Sequence, residues 1–309
     1  MTPQVQIVLA TYNGERFLGE QLDSILANSV DDFSIEIYDD GSTDRTLQIA
    51  REYEKQWACV HVHENESNLG YTKNFLHGVR QCRSPYIMLC DQDDIWKADK
   101  ISRTLAAMKK LEGERQGRED CPLLVFTDAM NYDSETGREL GSFHKSSRLN
   151  ADKTDPAHLL MENKCNGCTM MINAAVLPYL RTIPDEVRVH DWWLALICSC
   201  FGKILYLPEM TLQYRQHRDN MIGGRGFGEY FRDRVKNLRE QREALARTFA
   251  QAEAFYRLYG DQIPGAVREQ VQVFSRMGNV GALRRRWYVV RYGFYKSGFM
   301  RNAALFLIL

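Results

Sequence analysis

The chain has 309 residues, 44% hydrophobic and 26% charged, with 40 Lys+Arg balancing 40 Asp+Glu. This ordinary globular composition allows one large domain, or a catalytic domain with an appendage, and gives no reason to expect a nucleic-acid partner. Eight scattered cysteines, mostly inside apolar stretches, exclude a disulfide framework and fit reduced thiols.

The N-terminus enters directly on the strand-like "VQIVLATY" (5–12), with no basic region, apolar core and cleavage site ahead of it. No secretory leader is therefore expected, and a cytoplasmic location is. An amphipathic "GERFLGEQLDSILAN" (14–28) follows, then "FSIEIYDD" (33–40), "RTLQIAREYEKQ" (45–56), "CVHVHEN" (59–65), "YTKNFLHGVRQC" (71–82) and "YIMLCDQDD" (86–94). Alternating strand and helix patterns predict βαβ units and a mostly parallel sheet, whose ligands gather at the carboxyl ends of its strands. Three polar clusters fall at such ends.

A charged helix pattern over 97–119 precedes a buried strand, "LLVFTDAMNYD" (123–133). Residues 134–160 read as a polar loop or flap. "VHDWWLALICSCFG" (189–202) reads as an apolar helix, and "KILYLPEMTLQYRQH" (203–217) as closing strands. Gly223, Gly224, Gly226 and Gly228 mark a break before a long helix pattern over 229–260, so the boundary is drawn near residue 222. Residues 221–309 hold 16 Lys+Arg and 7 Asp+Glu, a balance of +9, which leaves −9 for residues 1–220. An acidic, metal-binding body with a basic tail for an anionic surface is one reading of this split; two mutually attracting halves is the other.

Asp91 and Asp93 stand two apart, so at an extended strand end they project to one side, with Asp94 close by. Carboxylates this close repel unless a cation sits among them, and Mg²⁺ or Mn²⁺ on a bound diphosphate meets that need. The alternative is an acidic turn capping the next helix. "YDDGSTDRT" (38–46), taken alone, reads first as a tight turn with a helix cap; a carboxylate there can instead accept the ring N–H of a pyrimidine. "ATYNGE" (10–15) brings small polar groups and an aromatic ring to the first strand end. Cys165 and Cys168, with Cys198 and Cys200, offer four thiolates for zinc, although their apolar surroundings favour plain buried cysteines.

Seven blocks in order, "LATYNGE", "IYDDGSTD", "NLGYTKNFLHG", "LCDQDDIW", "NGCTMMIN", "HDWW" and "YRQHRDNMIGG", resemble the signature of family-two glycosyltransferases, in particular their bacterial rhamnosyltransferase-like branch. The resemblance spans about residues 4–224 and implies an α/β GT-A nucleotide-diphospho-sugar-binding fold over 1–222, with a helical extension over 223–309. It implies a divalent metal, Mn²⁺ or Mg²⁺, and inversion at the anomeric carbon. Thr11, Tyr12 and Asp39 or Asp40 would hold the nucleoside, and Asp91 would stand near ribose and metal. Asp93 would be the main metal ligand, Asp191 the general base and His217 a late metal or diphosphate contact. Trp192 and Trp193 would form an acceptor wall, or simply pack.

The expected partners are a nucleotide-diphospho-sugar donor, with dTDP-rhamnose favoured by the branch, and a glycan or lipid-linked acceptor. Two other readings compete. A haloacid-dehalogenase-like phosphatase also carries acids after an apolar strand, and a non-catalytic nucleotide-sugar-binding protein would keep the pocket without the chemistry. The tail "RRRWYVVRYGFYKSGFMRNAALFLIL" (284–309) mixes Arg with aromatic residues, as peripheral membrane contact requires. Its uninterrupted apolar end is too short to span a bilayer, and on a single helical wheel its basic residues spread around. Packing on the body or on a second subunit is the alternative.

Overall fold

Val5–Thr11 (β1), Phe33–Asp39 (β2) and Tyr86–Asp91 (β4) are apolar or buried along nearly their whole length, the pattern of strands covered on both faces. In the computed structural model, which describes residues 2–114, 120–216 and 238–309, they pair in parallel at the centre of the sheet, with Val60–Glu64 (β3) at the edge. Leu18–Leu26 (α1) buries Leu18, Leu22 and Ile25 at helical spacing, and Tyr71–Gln81 (α3) buries Phe75, Leu76 and Val79. These helices and Thr46–Gln56 (α2) connect the parallel strands.

Among the described residues the sheet has nine strands, ordered β3-β2-β1-β4-β8-β6-β9-β5 with β7 paired to β6. Here β5 is Ile95–Trp96, β6 Leu123–Asp133, β7 Arg138–Ser142, β8 Met170–Asn173 and β9 Lys203–Gln216. The N-terminal half is parallel as expected, while β8 enters antiparallel to both β4 and β6. The charged helix of the sequence forms as α4 (Lys100–Gly113). The polar stretch 134–160 is more ordered than its composition implies: besides β7 it holds Phe143–Ser147 (α5) and much of Pro156–Met161 (α6), whose Asp155 N-cap accepts from the His158 N–H.

His190–Phe201 (α7) is buried almost throughout. Its outer face is covered by Leu238–Tyr259 (α8), where Phe255 and Tyr259 meet the Trp193 ring at 5.2 and 6.1 Å. Gly265–Ser275 (α9), Ala282–Tyr292 (α10) and Phe299–Ile308 (α11) complete the helical layer. One apolar cluster runs from Val8 and Phe75 through α7 to Phe249, Phe274 and Phe294. The boundary expected near residue 222, with its glycines, lies outside the described residues.

Candidate active site

The parallel register sets Thr11 opposite Asp39 and Ala10 opposite Asp91, so the polar ends of β1, β2 and β4 lie side by side. The loops that follow are tied together. Asp39 accepts from Thr11 Oγ1 (2.9 Å) and Ser42 Oγ (2.6 Å), and from the N–H groups of Gly41 (3.2 Å) and Ser42 (2.9 Å). Four donors fill the acceptor sites of a carboxylate. Asp40 accepts from Asn65 Nδ2 (2.8 Å), Leu69 N–H (2.7 Å) and Gly70 N–H (2.8 Å), leaving one site over. Both are buried, so their visible work is to order the walls of a cleft, while the Tyr12 ring stands 50% exposed beside them.

Gln92 clamps this region to the acidic turn. Its Oε1 accepts from the Tyr12 N–H (2.9 Å) and its Nε2 donates to the Tyr12 carbonyl (3.1 Å). A Cβ at position 14 would overlap the Gln92 amide, so a larger residue there would have to displace this clamp.

Asp91 ends β4 and Asp93 lies in the next turn, both partly exposed; Asp94 is fully buried. The helix-cap alternative fails, since β5 intervenes and α4 starts only at Lys100, after Asp99. Burial, then the charge of Asp93, pushes the Asp91 carboxyl up to about 7, opposed by the Tyr71 hydroxyl, which donates to its Oδ1 at 3.0 Å. Burial and its two neighbours hold Asp94 well above the usual carboxylate range, and its Oδ2 has no hydrogen-bond partner among the described residues. Oxygens of Asp91 and Asp94 lie within 4.8 Å of each other and of the Cys168 Sγ. Crowded acids with an unsatisfied oxygen fit a hard divalent cation. The Cys168 thiol, which burial pushes well up, is a poor ligand for such an ion.

Asp191 stands in the first turn of α7, 7% exposed. Its Oδ1 accepts from the Trp192 N–H (2.6 Å) and its Oδ2 from the Gly167 N–H (3.2 Å). Burial raises it to about 6 against these bonds. The adjacent His190 stacks on Phe75 at 4.0 Å and meets the Tyr71 ring edge-on at 5.0 Å. Burial lowers His190 to about 3, so its ring is neutral. Tyr71 thus bridges the acid that ends β4 and the dipeptide that opens α7.

Some groups around the acids gave no signal of their own in the sequence. The Lys100 amine reaches Thr211 Oγ1 (3.3 Å) over the Trp96 ring, and burial lowers it to about 8. The buried Arg215 donates from Nε to the Asp93 carbonyl (2.8 Å) and from Nη2 to Glu20 (2.6 Å). Both supply positive charge behind the acids. Lys100 lay in a charged helix pattern and Arg215 in a strand-like run, and neither pattern says which turn the side chain faces.

For the two tryptophans and the four cysteines the packing alternative is the one observed. Trp193 is fully enclosed by α8, and Trp192 is buried with its Nε1 donating to the Leu159 carbonyl and Arg188 over its ring, so the pair packs and offers no acceptor wall. The four cysteines do not converge on a zinc site: Cys168 joins Asp91 and Asp94, the only candidate metal cluster among the described residues. His217 lies outside the described residues.

Comparisons with known proteins agree with this layout. The mannosyltransferase PcManGT of Pyrobaculum calidifontis, solved with GDP-Man and Mn²⁺, superposes with a TM-score of 0.57 at 14% identity, over 99% of this chain and 79% of that one. S. aureus TarS 1-349, solved with UDP-GlcNAc, gives 0.59 at 14% identity, over 94% of this chain and 79% of that one; the chain spans 43% of a longer TarS structure. The fold is thus that of GT-A glycosyltransferases. The Glycosyl transferase family 2 sequence pattern matches residues 6–117. The dTDP-rhamnosyl transferase RfbG of Shigella flexneri is 30% identical over 228 residues, 70% of this chain and 73% of that protein. The chain belongs to glycosyltransferase family 2 and is rhamnosyltransferase-like. The phosphatase reading loses its basis.

Proposed function

We propose that the protein transfers a sugar, rhamnose from dTDP-rhamnose in the favoured case, onto a hydroxyl of a cell-surface polysaccharide or lipid-linked glycan, with inversion at the anomeric carbon. The observation that carries the proposal is Asp191, a buried carboxyl raised to about 6 and linked through His190 and Tyr71 to the acidic turn. The likeness to RfbG supports the donor.

In this reading the exposed Tyr12 ring stacks on the base. Thr11 acts through its bond to Asp39, and Asp40, with an acceptor site left, is the better of the two acids for a ring N–H. Asp93 and Asp91 would hold Mn²⁺ or Mg²⁺ with the diphosphate, with Asp94 beside them, and such a cation would supply neutralising charge to the leaving diphosphate. Asp191 takes the proton of the acceptor hydroxyl as its oxygen attacks the anomeric carbon; a carboxyl near 6 is mostly ionised at neutral pH yet more basic than an ordinary one. One base and one displacement leave the configuration inverted and need no covalent sugar intermediate.

The test is a thermal-shift panel of nucleotide sugars with Mn²⁺, followed by release of free nucleotide on adding acceptor. Stabilisation by a donor with acceptor-dependent release supports the transferase. Stabilisation without release by any acceptor supports a non-catalytic sugar-nucleotide-binding protein, and no stabilisation by any donor overturns both.

A further inference from the structure

We infer that the outer faces of α10 and α11 form a docking surface for an anionic phospholipid bilayer, on which the protein lies without crossing it. Read as one helix, residues 284–309 spread their basic groups around the wheel. In the structure the segment is two helices, parted between Gly293 and Gly298, both at φ +75°, and the side chains sort themselves.

On α10, Leu283, Trp287 and Val290 are 82%, 57% and 60% exposed. Their spacing puts them in one stripe along the helix, and the exposed Arg284 and Arg291 run alongside it. Arg285 is turned inward, donating to the Met277 and Gly278 carbonyls at 2.8 Å, so the charge left outside borders the stripe. On α11 the exposed residues Phe299, Met300, Ala303 and Leu307 again share one face, and none is charged. Arg286 ties the two helices through a 3.1 Å bond from its Nε to the Phe306 carbonyl. Beside them opens a recess of about 350 Å³ lined by Arg242, Arg285, Arg286 and Leu307 among others.

Large apolar side chains displayed in two helical stripes are more than the scatter of a normal surface. Charge decides the occupant. Residues 270–309 hold seven Lys and Arg and no Asp or Glu; Arg285 is turned inward, Arg301 is paired with Glu162 and Glu269 accepts from Tyr292, so the exposed Arg284 and Arg291 carry the charge that complements a negative plane. Trp beside Arg on an exposed helix face suits the boundary between headgroups and acyl chains. No described helix is long and apolar enough to cross a membrane, and the two helices are seated on the body by Val289, Phe294 and Leu305, all buried. Contact by this face needs nothing from the acidic cleft.

The experiment is co-sedimentation of the full chain with vesicles of phosphatidylcholine alone or mixed with phosphatidylglycerol. Binding is expected to the anionic vesicles only, weakening as salt is raised. Reversing two charges, Arg284→Glu with Arg291→Glu, should lower it on the order of 25-fold, about fivefold per Arg near the surface. Leu283→Gln, Trp287→Gln and Val290→Gln together should abolish retention while the circular dichroism melt stays that of the parent; if the triple variant does not fold, the charge-reversal variant carries the test. Equal binding to both vesicle types, no binding to either, or unchanged binding by a folded variant overturns the inference. So does light scattering showing a dimer that the apolar substitutions dissolve, since the face would then be an interface between copies.

Discussion

Tyr71 donates its hydroxyl to Asp91 Oδ1 at 3.0 Å while its ring rests edge-on against His190, one residue before Asp191. A single side chain therefore fixes the acid of the proposed donor site relative to the proposed base. Tyr71→Phe keeps the ring contact and removes the bond. A lost hydrogen bond to a charged group costs about 1.5–3 kcal/mol, so the melting temperature should fall by several degrees, and kcat/KM should fall roughly ten- to a hundredfold as Asp91 loses its fixed orientation. Unchanged kinetics would remove Tyr71 from the site.

Asp191→Asn preserves shape and abolishes basicity. Turnover should fall by about 10² to 10⁴, with KM for the donor nearly constant. Steady-state kinetics with donor and acceptor varied separately checks this, and near-normal turnover would end the assignment of the base.

The acid limb of the pH profile follows from the same carboxyl. Burial raises it to about 6, and only its ionised form accepts a proton, so activity is lost as pH falls. About nine-tenths is ionised at pH 7 and about one-tenth at pH 5, giving close to a tenfold loss of kcat between them. A flat profile across this range contradicts the prediction.

EDTA should abolish transfer, with Mn²⁺ or Mg²⁺ restoring it, and Asp93→Asn should raise the metal concentration needed for half-maximal rate. Metal titrations of both proteins would show it. Full activity in EDTA would take Asp93 out of its role.

Gly167 lies where a Cβ would stand 2.7 Å from His190 Nε2, and its N–H holds Asp191. Gly167→Ala should cost about 1–3 kcal/mol by overpacking, seen as a melting temperature lowered by several degrees, and should slow transfer as α7 shifts. A melt and rate equal to the parent's would mean that the helix start yields without penalty.

The parallel half of the sheet was legible because β1, β2 and β4 are apolar runs that stop on polar residues, a pattern set by local sequence. Asp91 could be placed at a strand end for the same reason. Cys168 and Arg215 could not, because β8 and β9 bring residues from beyond 160 to the flank of β4 and β5, and pairing of that range leaves no local trace; Lys100 could not, because its partner Thr211 lies on that same distant β9. The role of Trp193 stayed open for a related cause: the helix that encloses it, described over Leu238–Tyr259, bears no motif. The basic tail resisted a helical wheel because two glycines divide it.

The union of α7 with α8 has a further consequence. Arg188, just ahead of the proposed base, donates its N–H to Gln251 Oε1 (2.9 Å) and its Nη1 to Thr248 Oγ1 (2.6 Å), both on α8. The helix start that presents Asp191 is thus held from a segment outside all the signature blocks. Relatives that kept every block but exchanged this segment would inherit the reagents of the reaction and lose the vice that aligns them.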